Sequence, residues 1–426
     1  MTDAPAKIAG LIARQPKGHA LLGGLYNDPD VYAADLEKIF ARHWLYAGHV
    51  SQVAEPGDFF TYTVAEESVI VARGRDGVLR AMANVCRHRG SRVCLKPAGN
   101  ARLFVCPYHA WSYDLSGALI SAREMGAGFD KSAHGLKQVH LRVAAGLIFI
   151  SLAEEPLSFD HAGAVIAGAY DPYGWADAKI AHRETYTIDA NWKLAVENYL
   201  ECYHCAPAHK EYSELHALEK PLREIEAMNR LMHARTCAMG IDVRSGDDWA
   251  SSRTGREAIF SFRYALYEGV KSGAPKGMPV APLMGAFRDY DGGVTSAHFG
   301  PASFFVAYSD HGVVYRIVPK GPRRTEMELI WLVRADAVEG RDYKLADLTW
   351  LWRVTTEADK KITEDNQAGV NSRFYAPGPY AVMEPNAARY AAWYLGELAA
   401  DMSPSDKKPA MPAQNQIRAA AARASG

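Results

Sequence analysis

The spacing of apolar residues changes character along the chain, and each change predicts a different element. Residues 30–44 repeat apolar positions at helical intervals, with Leu36, Ile39 and Phe40 on one side. From Phe59 the runs shorten to strand length. Residues 68–71 lead into Gly74-Arg75-Asp76-Gly77, and Asp-Gly is a strong hairpin signal. Another turn falls at Ser116-Gly117, so residues 45–157 read as an all-β unit, with Pro156 and residues 160–168 as its exit. Residues 193–205 hold good helix formers with no Gly or Pro, which predicts one helix ended by Pro207. Residues 295–318 and 326–333 are strand-like, and 342–370 has the length and period of a long helix.

Strands followed by a long helix predict an α+β protein. The expected divisions are a helical segment over 1–44 packing on the second domain, an all-β domain over 45–157, and that second domain over 158–403. Residues 404–426, rich in Ala, Pro, Ser and Lys, read as a disordered tail. No internal repeat is visible.

Composition narrows the class. The 426 residues are 48% hydrophobic with a net charge of −1, enough for a large core. Near-neutral charge without a basic stripe argues against nucleic acid. No apolar run reaches the roughly 18 residues of a membrane span. The first residues lack the charged-then-apolar pattern of a signal peptide, so the expected location is the cytoplasm. The six cysteines read as reduced, intracellular thiols rather than a disulfide framework.

Two constellations carry chemistry. The first is Cys86-Arg87-His88 with Cys106-Pro107-Tyr108-His109. Two thiolates on one iron and two imidazoles on the other is the Rieske [2Fe-2S] ligand set. A Cys2His2 zinc site is the alternative, but zinc sites usually pair Cys with Cys and His with His. The second runs from Asn191-Trp192-Lys193 through Glu197 and Glu201 to His204 and His209. On a continuous helix Glu197, Glu201 and His204 share a face, and Pro207 would let His209 turn back toward His204. Two histidines and one carboxylate, with positions left open, make the facial triad of non-haem Fe(II) oxygenases. Cys202-Tyr203-His204-Cys205 is formally C-x-x-C, a thioredoxin-like or zinc spacing, but the residues around it already belong to the histidine motif, so it is not read as a separate site.

Together these motifs resemble the catalytic subunit of the Rieske non-haem iron, ring-hydroxylating oxygenases, from about residue 46 to residue 380. The resemblance implies an all-β cluster domain and a catalytic domain whose antiparallel sheet wraps a long helix. It implies Cys86, His88, Cys106 and His109 as cluster ligands and His204 and His209 as Fe(II) ligands. The third ligand would be Asp359, with Glu364 and Gln367 then in register; Asp365 is the rival. Trp352, Thr355, Asp359 and Ile362 fall on one helical face. Glu201 would join His204 to His109 of a neighbouring copy, implying a homotrimer. Tyr108 occupies the place of a loop-stapling cysteine found in respiratory-chain Rieske proteins, so that disulfide is not expected.

Most relatives with aromatic substrates carry Asp where this chain has Glu201. Glu resembles the subgroup acting on quaternary amines such as carnitine, glycine betaine and proline betaine, and Trp192-Lys193 with residues 369–375 and 377–380 look similar to the glycine betaine and proline betaine branch. The implied reaction uses O2 to hydroxylate an N-methyl group, with loss of formaldehyde. Recognition of a quaternary ammonium needs aromatic faces, and the candidates are Phe260, Phe262, Tyr264, Phe304, Phe305 and Tyr308. No G-x-G-x-x-G follows a strand. NAD(P)H electrons would therefore arrive through a separate flavin/iron-sulfur reductase or ferredoxin, for which Arg87, Arg89, Arg92 and Lys96 offer a basic surface. The competing readings are an aromatic-ring mono- or dioxygenase of the same family and a Rieske electron carrier with no oxygen chemistry. Cys94 and Cys237 carry no assigned role.

Overall fold

The computed structural model describes residues 4–217, 220–243 and 258–400. The expected tail over 404–426, and residues 401–403 before it, lie outside these. Ten strands build the first half: β1 (Trp44–His49), β2 (Asp58–Val64), β3 (Glu67–Arg73), β4 (Leu79–Ala83), β5 (Ala98–Asn100), β6 (Phe104–Val105), β7 (Ser112–Tyr113), β8 (Leu119–Ser121), β9 (Gln138–Ala144) and β10 (Leu147–Ser151). They form a seven-stranded sheet in the order β1-β10-β9-β4-β3-β2-β5 and a three-stranded sheet β6-β7-β8. The Asp-Gly hairpin is present, joining β3 to β4 in antiparallel register.

Strand β3 is buried continuously from Ser68 to Ala72 because both of its faces are covered. Ile70 and Ala72 pack toward Cys86, Cys106 and Trp111, whereas Val69 and Val71 pack into the core shared with the second half. The second half is a six-stranded antiparallel sheet. Its strands are β11 (Ala178–Ile188), β12 (Ile259–Ala265), β13 (Gly293–Phe299), β14 (Ser303–Ala307), β15 (Gly312–Gly321) and β16 (Arg324–Arg334), in the order β11-β16-β15-β14-β13-β12. The long Leu345–Val370 helix lays Leu348, Leu351, Trp352, Thr355 and Asp359 inward. The halves share packing: Trp44, Tyr46 and Phe149 join Phe299 and Phe305, and Arg316 of β15 donates to the Ala47 carbonyl at 2.9 Å. Among the described residues no helix is long and apolar enough to cross a membrane.

The expected helix over 30–44 is shorter than its apolar period. It runs Pro29–Asp35, continues as a π-helical turn to Phe40, and gives way to β1 at Trp44. Its last α-helical residue anchors the chain's N-terminal segment. Buried Asp35 pairs with the Lys193 ammonium and accepts from Trp192 Nε1 at 3.0 Å and Tyr394 Oη at 2.7 Å. Desolvation pulls the Lys193 pKa down, and Asp35 works against it. Removing one partner would strand the other charge in the interior. Asp35→Asn is expected to cost about 3–5 kcal/mol, read from denaturant unfolding, and Asp35→Leu with Lys193→Met less than the single change. A single variant as stable as wild type would refute the anchoring role.

The continuous helix expected over 193–205 is also broken. A helix runs Trp192–Tyr199, capped by the Asn191 side chain accepting from the Lys193 N–H, and a separate turn of helix spans Cys205–Ala208. The cause is local. The Glu201 carboxylate accepts the N–H groups of Tyr203 and His204, which a helix would have spent on the carbonyls of residues 199 and 200. Pro207 does not terminate a long helix; it sits in the first turn of the short one, where its missing N–H costs nothing. The all-reduced reading of the cysteines is corrected too: Cys202 and Cys205 form a disulfide, while Cys86, Cys94, Cys106 and Cys237 are free.

Candidate active site

Two loops of the first half present Cys86, His88, Cys106 and His109, and the two loops have the same backbone plan. Cys86 N–H donates to the Ser91 carbonyl at 2.8 Å and Gly90 N–H returns to the Cys86 carbonyl at 3.0 Å. Cys106 N–H donates to the Trp111 carbonyl at 2.8 Å and Ala110 N–H returns to the Cys106 carbonyl at 3.0 Å. Each loop closes through a left-handed residue, Gly90 at φ 79° and Ala110 at φ 58°. Both thiols are buried, at 3% and 2% exposure, and both imidazoles face outward with ring centroids 4.6 Å apart. His88 stacks on Trp111 at 4.8 Å, and the Tyr113 hydroxyl lies 3.3 Å from Cys86 Sγ. Paired inner sulfurs and paired outer imidazoles fit a cluster with one Cys-bound and one His-bound iron. Arg87, Arg89, Arg92 and Lys96 are exposed around them.

The second constellation converges in the other half. His204 sits at the end of the Glu201 turn, His209 directly follows the Cys205–Ala208 helix, and Asp359 comes from the long helix. One ligand atom from each lies within 4.8 Å of the others. Asp359 Oδ1 is 2.8 Å from His209 Nε2 and 3.3 Å from His204 Nε2. The other His204 nitrogen, Nδ1, donates to Glu201 Oε1 at 2.5 Å. With Nδ1 held by that bond, Nε2 is the nitrogen turned toward Asp359 and the one available to a metal once it gives up its proton. Burial works against the Asp359 charge, yet the two imidazoles hold its carboxyl below the usual range. Burial likewise opposes protonation of His204, but Asp359 and Glu201 outweigh it and lift its pKa to about 9. Two imidazoles and a carboxylate converging from three segments form a donor set suited to non-haem iron.

Asp365 is placed elsewhere, exposed and paired with Lys361 at 2.6 Å. Glu364 and Gln367 accept the N–H groups of Asp189 and Asn191 at 2.9 Å and 2.8 Å, tying the long helix to the segment that starts the histidine motif.

A cavity of about 230 Å³ opens on the three converging residues. Phe260, Phe262 and Tyr264 share one face of β12, the alternation that turns Arg263 the other way to pair with Asp291. Phe304 joins them. Phe305 and Tyr308 do not: Phe305 points through the sheet to Tyr46 and Phe149, and Tyr308 is buried with its hydroxyl 2.9 Å from His216 Nε2. Adjacent residues of a strand face opposite sides of the sheet, so only one of Phe304 and Phe305 can reach the cavity. Sequence reasoning missed Tyr199, Tyr315 and Asn198, and did not assign Trp352 to the cavity. Tyr199 and Tyr315 face each other at 4.8 Å, and the Asn198 amide nitrogen lies 3.4 Å from His204 Nε2. Asn198 carried a signal, its place beside Glu197 in the motif. A second cavity of about 390 Å³ shares His204 with the first and is also lined by Glu197, whose carboxyl burial lifts to about pKa 7 and which accepts from Tyr26 Oη at 2.7 Å.

Residues 43–140 match the Rieske [2Fe-2S] domain and residues 175–400 the ring-hydroxylating alpha subunit catalytic domain. The chain is 37% identical to the glycine betaine monooxygenase oxygenase subunit of Chromohalobacter salexigens, covering 91% of this chain and 87% of that protein. It is 35% identical to the subunit of the same name from Pseudomonas aeruginosa, covering 91% and 90%. The carnitine monooxygenase oxygenase subunit of Escherichia coli is 40% identical over a shorter stretch, 44% of this chain and 52% of that one. The crystal structure of the quaternary ammonium Rieske monooxygenase CntA with an inhibitor shares the fold, with a TM-score of 0.70 at 23% identity, over 92% of this chain and 97% of that one. Two cluster loops of matching design, a His-His-carboxylate centre and these similarities agree: the chain belongs to the family of Rieske non-haem iron, ring-hydroxylating oxygenase alpha subunits.

Proposed function

We propose that the chain is the oxygenase component of an N-demethylating monooxygenase acting on a betaine-like quaternary amine. The observation that carries this reading is the aromatic wall facing His204, His209 and Asp359. A quaternary ammonium has no N–H to donate, so its attraction is to aromatic faces. Phe262 stands between Phe260 and Tyr264 at 5.8 Å and 5.5 Å, and Tyr199, Tyr315 and Trp352 also line the cavity. Among the described residues no lysine or arginine lines it, so no fixed cation repels the ammonium; Ser296 and Asn386 offer neutral groups to a carboxylate.

In this reading Cys86, His88, Cys106 and His109 hold the cluster, and His204, His209 and Asp359 hold Fe(II). When bound, the cluster passes single electrons and the iron binds and activates O2. The aromatic faces grip the ammonium and aim one N-methyl group at the three ligands, while the apolar lining keeps water out. Glu201 orients His204 through Nδ1. The hydroxylated methyl group loses its hydroxyl proton as its C–N bond breaks, giving formaldehyde and the demethylated amine. A separate reductase would supply electrons from NAD(P)H, and a homotrimer would bring His109 of a neighbouring copy to Glu201.

The test is formaldehyde release matched to O2 consumption, from iron-loaded protein with a generic reductase and NADH. Glycine betaine, proline betaine, carnitine, choline and benzoate form the panel. Stoichiometric formaldehyde from one betaine supports the reading; turnover with benzoate alone moves the chain to the aromatic-ring branch. Phe262→Ala is expected to raise KM for the active betaine roughly 2- to 30-fold, the span of a cation–π contact worth about 0.5–2 kcal/mol, and Phe262→Trp to restore it. An unchanged KM would remove Phe262 from the cage.

A further inference from the structure

The proposed demethylation requires neither Cys202 nor Cys205, yet both flank His204, on which the proposed iron site turns. Their disulfide closes the segment Cys202-Tyr203-His204-Cys205, and the Cys205 N–H donates to the Cys202 carbonyl at 3.2 Å across the same turn. Glu201 precedes Cys202 directly, and its carboxylate takes the Tyr203 N–H, the His204 N–H and His204 Nδ1. The bond therefore ties together the two sides of a turn that carries Tyr203 and His204. Cys202, Tyr203 and His204 lie between the Trp192–Tyr199 helix and the Cys205–Ala208 helix that Cys205 opens, so no helical ladder defines them. The two sulfurs are not equivalent: Cys205 is buried at 6% exposure, and Cys202 is partly open to solvent.

We propose that Cys202 and Cys205 are a redox-active pair, a site of reversible exchange with a small-molecule disulfide of the oxidised-glutathione class. The disulfide form holds the mononuclear iron more tightly than the dithiol form. The second part rests on His204, His209 and Asp359 being the iron site. In the forward direction the Cys202 thiolate attacks one sulfur of glutathione disulfide, forming a mixed disulfide and expelling one glutathione. Cys205 then attacks the Cys202 sulfur, forming the protein disulfide and expelling the second. The protein pair gives up two electrons, and the two protons of its thiols end on the two glutathiones. Exposure sets the order, since the outer sulfur is the one a bulky disulfide can reach. Loosening the turn loosens the Glu201 support of His204, and partners of a metal ligand are worth 10- to 100-fold in metal affinity.

The experiment uses the holoprotein poised at a series of glutathione ratios. Thiols are mapped by alkylation and peptide mass, iron loss to a chelator is timed, and the cluster absorbance is followed separately as a control for fold. The Cys202–Cys205 peptide is expected to convert between its dialkylated and disulfide forms in one two-electron transition. The disulfide form should release iron on the order of tenfold more slowly. Cys205→Ser should accumulate a glutathionyl group on Cys202, and Cys202→Ser none on Cys205. A pair locked in one state at every ratio, the adduct on Cys205 instead, or equal iron release from both forms would overturn the proposal. Absence of any iron beyond the cluster's would overturn the iron-site reading and the tightening with it, while the peptide map reads the exchange by itself.

Discussion

Asp359→Asn is expected to lose the mononuclear iron and formaldehyde production while the cluster absorbance stays at the wild-type level. Asp359 supplies the only carboxylate of the converging triad, and its Oδ1 faces both His204 Nε2 and His209 Nε2. An amide keeps the shape but removes the negative charge that balances a divalent ion in a buried site. Since residues that merely support a ligand are worth 10- to 100-fold in affinity, loss of the ligand itself should cost more than about 100-fold. The cluster loops belong to a different core, so their absorbance should not move. Asp365→Asn is the matched control: that carboxylate is exposed, and its surface pairing with Lys361 contributes little. Iron counted against cluster absorbance separates the two carboxylates, and full iron in Asp359→Asn would sink the assignment.

The chemistry of this chain was more legible than its backbone. Residue types and spacings picked out both groups of side chains that the fold brings together, because a donor set suited to a metal is far more restricted than the residues a surface tolerates. The long helix and the β3–β4 hairpin were visible for a related reason: period and turn residues agreed with the tertiary structure. The segment 193–205 was not, because helix propensity counts residues one at a time. It does not register that Glu201 captures two backbone N–H groups and breaks the ladder. The break matters, since it removes His204 from a helix and places it on a turn fixed by side-chain bonds. Tyr199 and Tyr315 were illegible for another reason: they come from elements 116 residues apart in sequence, and only the packing at 4.8 Å makes them one wall. The Cys202–Cys205 bond was passed over because the neighbouring residues already belonged to a metal motif.

Glu201→Gln is expected to bind Fe(II) more weakly, yet at saturating Fe(II) to hold both cluster and iron while turnover falls about 10- to 100-fold. The carboxylate has divided duties: Oε1 accepts from His204 Nδ1 at 2.5 Å, and Oε2 accepts the Tyr203 and His204 backbone N–H groups. An amide retains one accepting oxygen. Its NH2 must then meet either the imidazole N–H or the two backbone N–H groups, donor against donor, and one set of bonds is lost. His204 stays near the site because Asp359 and His209 still face it, so iron loading should persist at saturating Fe(II). What falls is the orientation of His204 and, in the proposed trimer, the carboxylate path to His109 of a neighbouring copy. Mixing reduced, substrate-bound protein with O2 and timing cluster reoxidation reads that loss apart from simple instability, which would instead lower iron content and cluster absorbance together. Glu201→Asp retains both oxygens on a shorter arm and should recover part of the rate. Wild-type turnover and reoxidation in Glu201→Gln would show that this carboxylate neither orients His204 nor connects the two centres.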